Sequence, residues 1–118
     1  MTSTLSKIGH PVAELPVEDV ERAQAHFEAA FGFQREWILE SKELGAVSRG
    51  DVAIFLRRRE TPFESTTHWI FAEDLEATYR ELRDMGANIV EPLETKPWGL
   101  RQFAVRDLDR NLFYFHHD

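Results

Sequence analysis

The sequence contains the same short pattern twice, and this repetition limits the possible folds more than any other feature. Asp19-Val20-Glu21 recurs about 55 positions later as Asp74-Leu75-Glu76, each time after a strand-like segment and before a stretch that ends near a glycine. Asp-apolar-Glu is also a common start for a helix, so the tripeptide alone is weak evidence for duplication. The matching segments on either side of it make the duplication the better explanation. A self-similar period of half the chain indicates a duplicated module.

The first half predicts one strand, one helix and three further strands. Residues 8–15 form the first predicted strand, which Pro16 should end because proline has no N–H for the ladder. Apolar residues then follow at helical spacing from Asp19, a potential N-cap, to Gly32, a potential terminator. Further strands are predicted at residues 33–40, 45–49 and 52–57, the last two joined by the turn Gly50-Asp51.

The second half repeats this order. Residues 67–72 predict a strand, and a helix from Asp74 to Gly86 carries one apolar stripe of Leu75, Tyr79, Leu82 and Met85. Three strands follow, at residues 88–92, 101–105 and 112–116. We therefore predict an α+β fold of two βαβββ modules, at about residues 7–59 and 67–117, in one domain that spans residues 1–118.

Composition excludes several classes of protein. The net charge of −7 disfavours nucleic-acid binding, and Arg57-Arg58-Arg59, the only basic run, is better explained as a solvated strand end. The absence of cysteine excludes disulfides, thiolate zinc sites and cysteine nucleophiles. No apolar run approaches the roughly 20 residues of a membrane span, and the first residues do not resemble a signal peptide. We expect a cytoplasmic protein.

Three stretches resemble a known superfamily: residues 15–33, residues 49–56 and, above all, residues 96–111. The last stretch contains Pro97-Trp98-Gly99 and ends on Asp107-Leu108-Asp109-Arg110-Asn111. It is similar to the stretch of bleomycin-resistance proteins that carries Pro-Trp-Gly and then Asp-Pro-x-Gly-Asn. The chain thus resembles the glyoxalase/bleomycin-resistance/dioxygenase (vicinal oxygen chelate) superfamily over nearly its whole length. Leu108 and Arg110 replace the family's Pro and Gly, so a reshaped turn is expected there.

The resemblance also implies where a metal would bind. In metal-dependent members, four inward residues of the first, fourth, fifth and eighth strands hold one divalent ion; here those positions fall on Val12, Phe55, Thr67 and Tyr114. None of these is a good ligand, because such ions need imidazole or carboxylate groups. A protein without metal or cofactor is therefore expected. The alternative is a rearranged site that uses His10, His68 or His116, although sheet pairing and terminal position explain these histidines more simply.

Alternation along the strands divides the side chains between two faces. With Phe55 and Tyr114 facing inward, the residues on the same side are Ala53, Arg57, Trp69, Phe71, Leu112 and His116. The opposite positions, which should pack under the helices, are Ile54, Leu56, Phe113 and Phe115. Without metal ligands, the inward face becomes an aromatic groove.

Candidate ligand-binding residues are Trp37, Phe55, Trp69, Trp98 and Tyr114. The strand aromatics are equally explained as core, whereas Trp98 lies in a loop where packing does not call for tryptophan. The resemblance implies a homodimer that sequesters a cationic bleomycin-type glycopeptide, or a similar flat ligand, in grooves at the subunit interface without changing it. No catalytic residue, nucleic acid or membrane is expected. The alternative is a divalent-metal lyase or dioxygenase.

Overall fold

The computed structural model describes residues 4–118, and its elements follow the predicted order. They are β1 (Ala13–Val17), α1 (Val20–Phe31), β2 (Gln34–Ile38), β3 (Leu44–Arg49), β4 (Val52–Arg58), β5 (Thr67–Phe71), α2 (Leu75–Asp84), β6 (Asn88–Thr95), β7 (Arg101–Arg106) and β8 (Leu112–His117). Neither helix is long and apolar enough to cross a membrane. The predicted α+β class with two βαβββ units is confirmed.

The two halves form separate four-stranded sheets with the same topology. The first sheet has the order β1-β4-β3-β2, and the second has the order β5-β8-β7-β6. In each sheet the first and last strands of the module pair in parallel, and the other neighbours pair antiparallel. Equivalent strand orders in both halves are what a duplicated module predicts.

Both helices begin at the predicted caps. The Asp19 carboxylate accepts a hydrogen bond from the backbone N–H of Arg22 at 3.0 Å, and the Asp74 carboxylate accepts one from Ala77 at 3.1 Å. These bonds satisfy N–H groups that have no partner within the helix. Gly32 ends α1 with a φ of 70°, a left-handed conformation that glycine adopts without steric strain.

One aromatic core joins the two modules. The alternate strand residues predicted to lie under the helices are all buried: Ile54, Leu56, Phe113 and Phe115. Phe27 of α1 contacts Phe113 of the second sheet, with 5.8 Å between the ring centroids. Burying a side chain of this size contributes about 1.5–3 kcal/mol. The helix of the first module is therefore packed against both sheets.

The structure corrects the predicted strand ends at two prolines. Pro16 lies inside β1 rather than after it, while residues 8–12 precede the strand. β1 is an edge strand, and the Pro16 carbonyl accepts a hydrogen bond from Asn111 on the side away from β4, so no ladder N–H is missing. Pro92 likewise lies inside β6, an edge strand of the second sheet, beside a register shift. Edge position explains both exceptions.

Hydrogen bonds from the turn between β7 and β8 connect the two modules. We call this turn, residues 107–111, the β7–β8 clasp. The fully buried Asn111 side chain donates to the Pro16 carbonyl and to Asp107 Oδ2, each at 3.0 Å, and its Oδ1 accepts from the Thr66 N–H at 2.9 Å. Arg110, where the family favours glycine, has a φ of 69°. A left-handed non-glycine residue costs about 1–2 kcal/mol. The turn therefore keeps a glycine-like conformation despite the substitution.

Burial raises the pKa of the Asp107 carboxyl to about 6, against the opposing effect of its hydrogen bonds with Asn111. The folded protein thus holds this proton more tightly than the unfolded chain, whose pKa is near 3.8. The associated stability is fully present below pH 3.8 and is lost as the pH rises through about 6. Relative to Asp107→Asn, which cannot titrate, the wild type should lose up to about 3 kcal/mol of unfolding free energy across this window.

Urea unfolding of both proteins at several values from about pH 4 to pH 7 measures this difference. The control is Asp51→Asn, in the exposed turn before β4. A constant difference between wild type and Asp107→Asn over the whole range would contradict the raised pKa.

Candidate functional site

Each sheet is covered by helix on one face and uncovered on the other. We call the uncovered face of the first sheet open face 1, with Glu14, Trp37, Ala53, Phe55 and Arg57, and that of the second sheet open face 2, with Trp69, Phe71, Gln102, Ala104, Tyr114 and His116. Trp69 is 50% exposed on open face 2, and Trp37 and Phe71 are exposed as well. Exposed apolar patches of this kind mark binding surfaces.

An aromatic pair lies on open face 1. The Trp37 and Phe55 rings meet edge to face, with 5.2 Å between their centroids. Trp37 lies in a register shift of β2 against β3, where Gln24 of α1 donates to the Trp37 carbonyl at 3.0 Å and to the Ala46 carbonyl at 3.1 Å. Gln24 is buried, so these bonds satisfy two carbonyls that the irregular ladder leaves open.

The polar groups around open face 1 are ion-paired. Arg57 Nε contacts Glu14 Oε1 at 2.9 Å, and Arg59 contacts the other oxygen of the same carboxylate at 3.6 Å. Arg58 pairs with Glu60 at 3.1 Å. The basic run is therefore balanced by neighbouring carboxylates, as a solvated strand end would be.

A second aromatic group lies on open face 2. Trp69 stacks on Tyr114, with ring centroids 4.4 Å apart and an interplanar angle of 20°. The His116 ring meets Trp69 at 5.7 Å and Phe71 at 5.8 Å, both edge to face. The parallel β5–β8 register causes this arrangement, because it places Trp69 opposite Tyr114 and Phe71 opposite His116.

Trp98 lies in the turn between β6 and β7 and is 66% exposed, so it is not a core residue. Its indole N–H donates to Gln102 Oε1 at 3.3 Å. The Lys96 ammonium lies 6.0 Å from the ring centroid, at the outer limit of a cation–π contact, and is held by Glu91 and Glu94. One hydrogen bond thus orients an otherwise solvent-facing indole.

The five candidate binding residues do not form one pocket within a chain. Trp37 and Phe55 are together on open face 1, whereas Trp69 and Tyr114 are together on open face 2. Between residues 4 and 118 no contact between aromatic rings joins the two pairs or includes Trp98. A cavity of about 380 Å³ lies between the sheets, but of the five residues only Trp69 lines it. A single chain therefore carries two separate aromatic pairs, one on each open face.

The four positions to which the sequence resemblance assigns a metal are Val12, Phe55, Thr67 and Tyr114, and none of them is a good ligand. Phe55 and Tyr114 lie on the open faces, and Val12 precedes β1. His68 and His116, two of the histidines of the alternative metal site, do not converge. His68 lies on the face of β5 opposite Trp69, with its ring 5.6 Å from that of Phe113, whereas His116 lies on open face 2. Burial lowers the pKa of His68. In the part of the chain that the structure describes, no three His, Asp or Glu side chains are arranged to hold a metal.

Two glutamines near these aromatic groups escaped the sequence-based reasoning. Gln24 holds the Trp37 carbonyl, and Gln102 holds the Trp98 indole. Side chains alternate along β7, so Gln102 lies on the same face as Ala104, two residues away, which is open face 2. Nothing in the sequence indicates that the Gln102 side chain is buried there. No sequence signal reveals the role of Gln24, because the register shift that it fills is a tertiary feature.

Comparison with known families identifies the chain. The profile described as Glyoxalase/Bleomycin resistance protein/Dioxygenase superfamily matches residues 7–115. The protein belongs to this superfamily, as the sequence resemblance implied. Comparison with curated protein sequences gives no match.

Solved structures show the same fold at low sequence identity. TioX from Micromonospora sp. ML1 is 28% identical, with 92% of this chain and 98% of that chain covered and a TM-score of 0.81. The bleomycin-binding protein from Streptomyces verticillus, solved with copper(II)-bleomycin, is 24% identical, with 94% and 97% covered and a TM-score of 0.79. A glyoxalase-related enzyme from Clostridium phytofermentans is 15% identical, with 97% and 98% covered and a TM-score of 0.78.

The Gln24 bridge predicts a measurable loss of stability. Gln24→Met keeps the length of the side chain but leaves the Trp37 and Ala46 carbonyls without their donor, which should lower the unfolding free energy by about 2–4 kcal/mol. Gln34→Met, at an exposed position of β2, is the matched control and should stay within about 0.5 kcal/mol of the wild type. Chemical denaturation measures both. If the two variants are equally stable, the Gln24 amide does not support the β2–β3 irregularity.

Proposed function

We propose that this protein is a metal-independent small-molecule binding protein of the bleomycin-resistance type. It would sequester a cationic glycopeptide antibiotic, or a similar flat ligand, in grooves at a homodimer interface without changing it chemically. The observation that supports this most strongly is the pair of exposed aromatic groups on the two open faces, with Phe55 and Tyr114 at inherited metal positions. These groups supply a stacking surface where an enzyme would need ligands or a base.

Aromatic surfaces suit a flat, cationic ligand. Indole and phenol rings offer a large contact area with few rotatable bonds, and their π faces attract cations. Trp69 and Trp98 are at least half exposed and available for such contacts. The net charge of −7 adds a diffuse attraction for a positively charged ligand.

The separation of the two aromatic pairs onto different open faces supports a homodimer. Open faces 1 and 2 expose Trp37, Trp69 and Phe71 to solvent in the single chain. A two-fold partner that covered both faces would bury these rings and join Trp37–Phe55 of one subunit with Trp69–Tyr114 of the other. Two equivalent grooves would result.

We expect this dimer in solution. Light scattering at micromolar concentration should give twice the chain mass of 13.8 kDa. Ala53→Arg, which places a bulky charge on open face 1 next to Phe55, should shift the protein toward monomer. The control is Asp51→Arg, in the exposed turn before β4. A wild-type monomer would rule out the interfacial groove.

A metal-dependent lyase or dioxygenase is the competing function, and the fold shared with a glyoxalase-related enzyme permits it. Because the inherited ligand positions carry Phe55, Thr67 and Tyr114, we expect well below one zinc, nickel, manganese or iron per chain in protein purified without chelator. Elemental analysis measures this directly. Stoichiometric metal that survives dialysis, with stability lost on chelation, would favour the enzyme.

Trp98 is expected to be a principal stacking contact. Stacking is typically worth about 1–3 kcal/mol per ring, so Trp98→Ala should weaken the affinity for metal-free or copper-loaded bleomycin roughly ten- to a hundredfold. The stability of the fold should change little, because the indole is mostly exposed. Tryptophan fluorescence and calorimetric titration report the binding.

Two outcomes would contradict this assignment. Absence of a fluorescence change or binding heat at about 100 µM drug would reject bleomycin as the ligand. Unfolding of Trp98→Ala would show that the indole supports the fold rather than the site. The matched control is Phe63→Ala, a partly exposed aromatic residue in the connection between the modules.

A further inference from the structure

Gln102 and His116 lie side by side on open face 2, and each has a polar nitrogen that the proposed stacking does not use. The antiparallel β7–β8 register places Gln102 opposite His116. This is the next pair on the same face of the sheet after Ala104 and Tyr114. Gln102 is only 2% exposed, although it lies on the face without a helix. A buried amide beside exposed aromatic rings is costly unless its polar atoms are used.

The surroundings of His116 select one tautomer. Its Nδ1 atom is buried and has no hydrogen-bond partner among residues 4–118, whereas Nε2 is not enclosed in this way. A neutral imidazole carries its proton on one of the two nitrogens. A buried N–H without an acceptor is rarer than a buried lone pair, so the environment favours the tautomer with the lone pair on Nδ1 and the proton on Nε2. In that tautomer His116 presents an N–H donor to open face 2.

Gln102 presents a second donor. Its Oε1 already accepts the hydrogen bond from the Trp98 indole. The amide Nε2 points away from that bond because the two amide atoms diverge from the same carbon. Among residues 4–118 the amide nitrogen has no hydrogen-bond partner, and it is not fully enclosed. Adjacent strands thus carry two N–H donors in one row.

We propose that Gln102 and His116 form a two-donor subsite that binds adjacent acceptor atoms on a flat heteroaromatic ligand. The inference rests on the proposed function, because it requires that open face 2 binds a flat molecule. Stacking on Trp69 and Trp98 tolerates any flat ring. A ring without acceptor atoms would cover the two N–H donors and leave them unpaired, which costs binding free energy. The aromatic residues then supply affinity, and the two donors supply selectivity for heteroaromatic rings with neighbouring nitrogen or oxygen atoms.

The tautomer is tested on the free protein. Two-bond ¹H–¹⁵N correlation NMR at about pH 8, above the ordinary titration range of histidine, distinguishes a protonated ring nitrogen from an unprotonated one. The His116 signals, assigned with His116→Phe, should show the proton on Nε2. A proton on Nδ1 would overturn the proposal, whatever the protein binds.

Selectivity is tested with phthalazine and naphthalene, which have the same shape and differ in the two adjacent ring nitrogens of phthalazine. Backbone NMR titration gives both dissociation constants. His116→Phe keeps a flat ring but removes the donor, so the phthalazine constant should rise about three- to tenfold while that of naphthalene stays within about twofold. Gln102→Met should act in the same direction. The control, His10→Phe, changes an exposed histidine before β1 and should leave both constants unchanged.

The outcomes separate this subsite from the proposed function. A selective loss of phthalazine binding in His116→Phe supports the two-donor subsite even if bleomycin does not bind the wild type. Equal losses for phthalazine and naphthalene would overturn it, as would no loss or no binding of either probe. If bleomycin binds under those conditions, the proposed function stands without the subsite.

Discussion

The packing of one face of each sheet into a shared aromatic core is the constraint on which the rest of the structure depends. Because strand side chains alternate, burying Ile54 and Phe113 under the helices forces Phe55 and Tyr114 to the other side. Phe27 of α1 contacts both Phe33 and Phe113, so the core that orients one sheet also orients the other. The open faces and their aromatic pairs are the consequence of this shared packing.

The β7–β8 clasp adds polar specificity to that apolar core. Apolar packing is tolerant of small shifts, whereas hydrogen bonds need their atoms at defined positions: the Asn111 amide donates to Pro16 and Asp107 and accepts from the Thr66 N–H. The residues of the family pattern that this chain retains there, Asp107 and Asn111, are the ones whose side chains make these bonds. Leu108 and Arg110 depart from the pattern at positions whose side chains make none of these bonds, and Arg110 adopts the positive φ that glycine favours.

In the proposed function, aromatic side chains take the place of metal ligands. A metal site would concentrate binding in a few lone pairs, whereas Trp37, Phe55, Trp69 and Tyr114 would spread it over a surface on two sheets. Affinity from such a surface is unspecific by itself, since any flat molecule can stack. Selectivity must then come from the few polar atoms at its edge, and the paired donors of Gln102 and His116 are suited to that role.

Local patterns in the sequence were enough to predict the order of elements and the caps at Asp19 and Asp74. They also predicted which strand residues face the core and which lie on the open faces. Caps and alternation depend only on near neighbours along the chain. Three features were decided by the tertiary structure. Pro16 and Pro92 lie inside strands because those strands are at sheet edges, and edge position depends on distant pairing. The two aromatic pairs do not meet within one chain, since the relative placement of the two sheets follows from the packing of α1. The roles of Gln24 and Gln102 also depend on the tertiary structure. Helix α1 brings Gln24 to the Trp37 carbonyl, and the β6–β7 turn brings the Trp98 indole to Gln102.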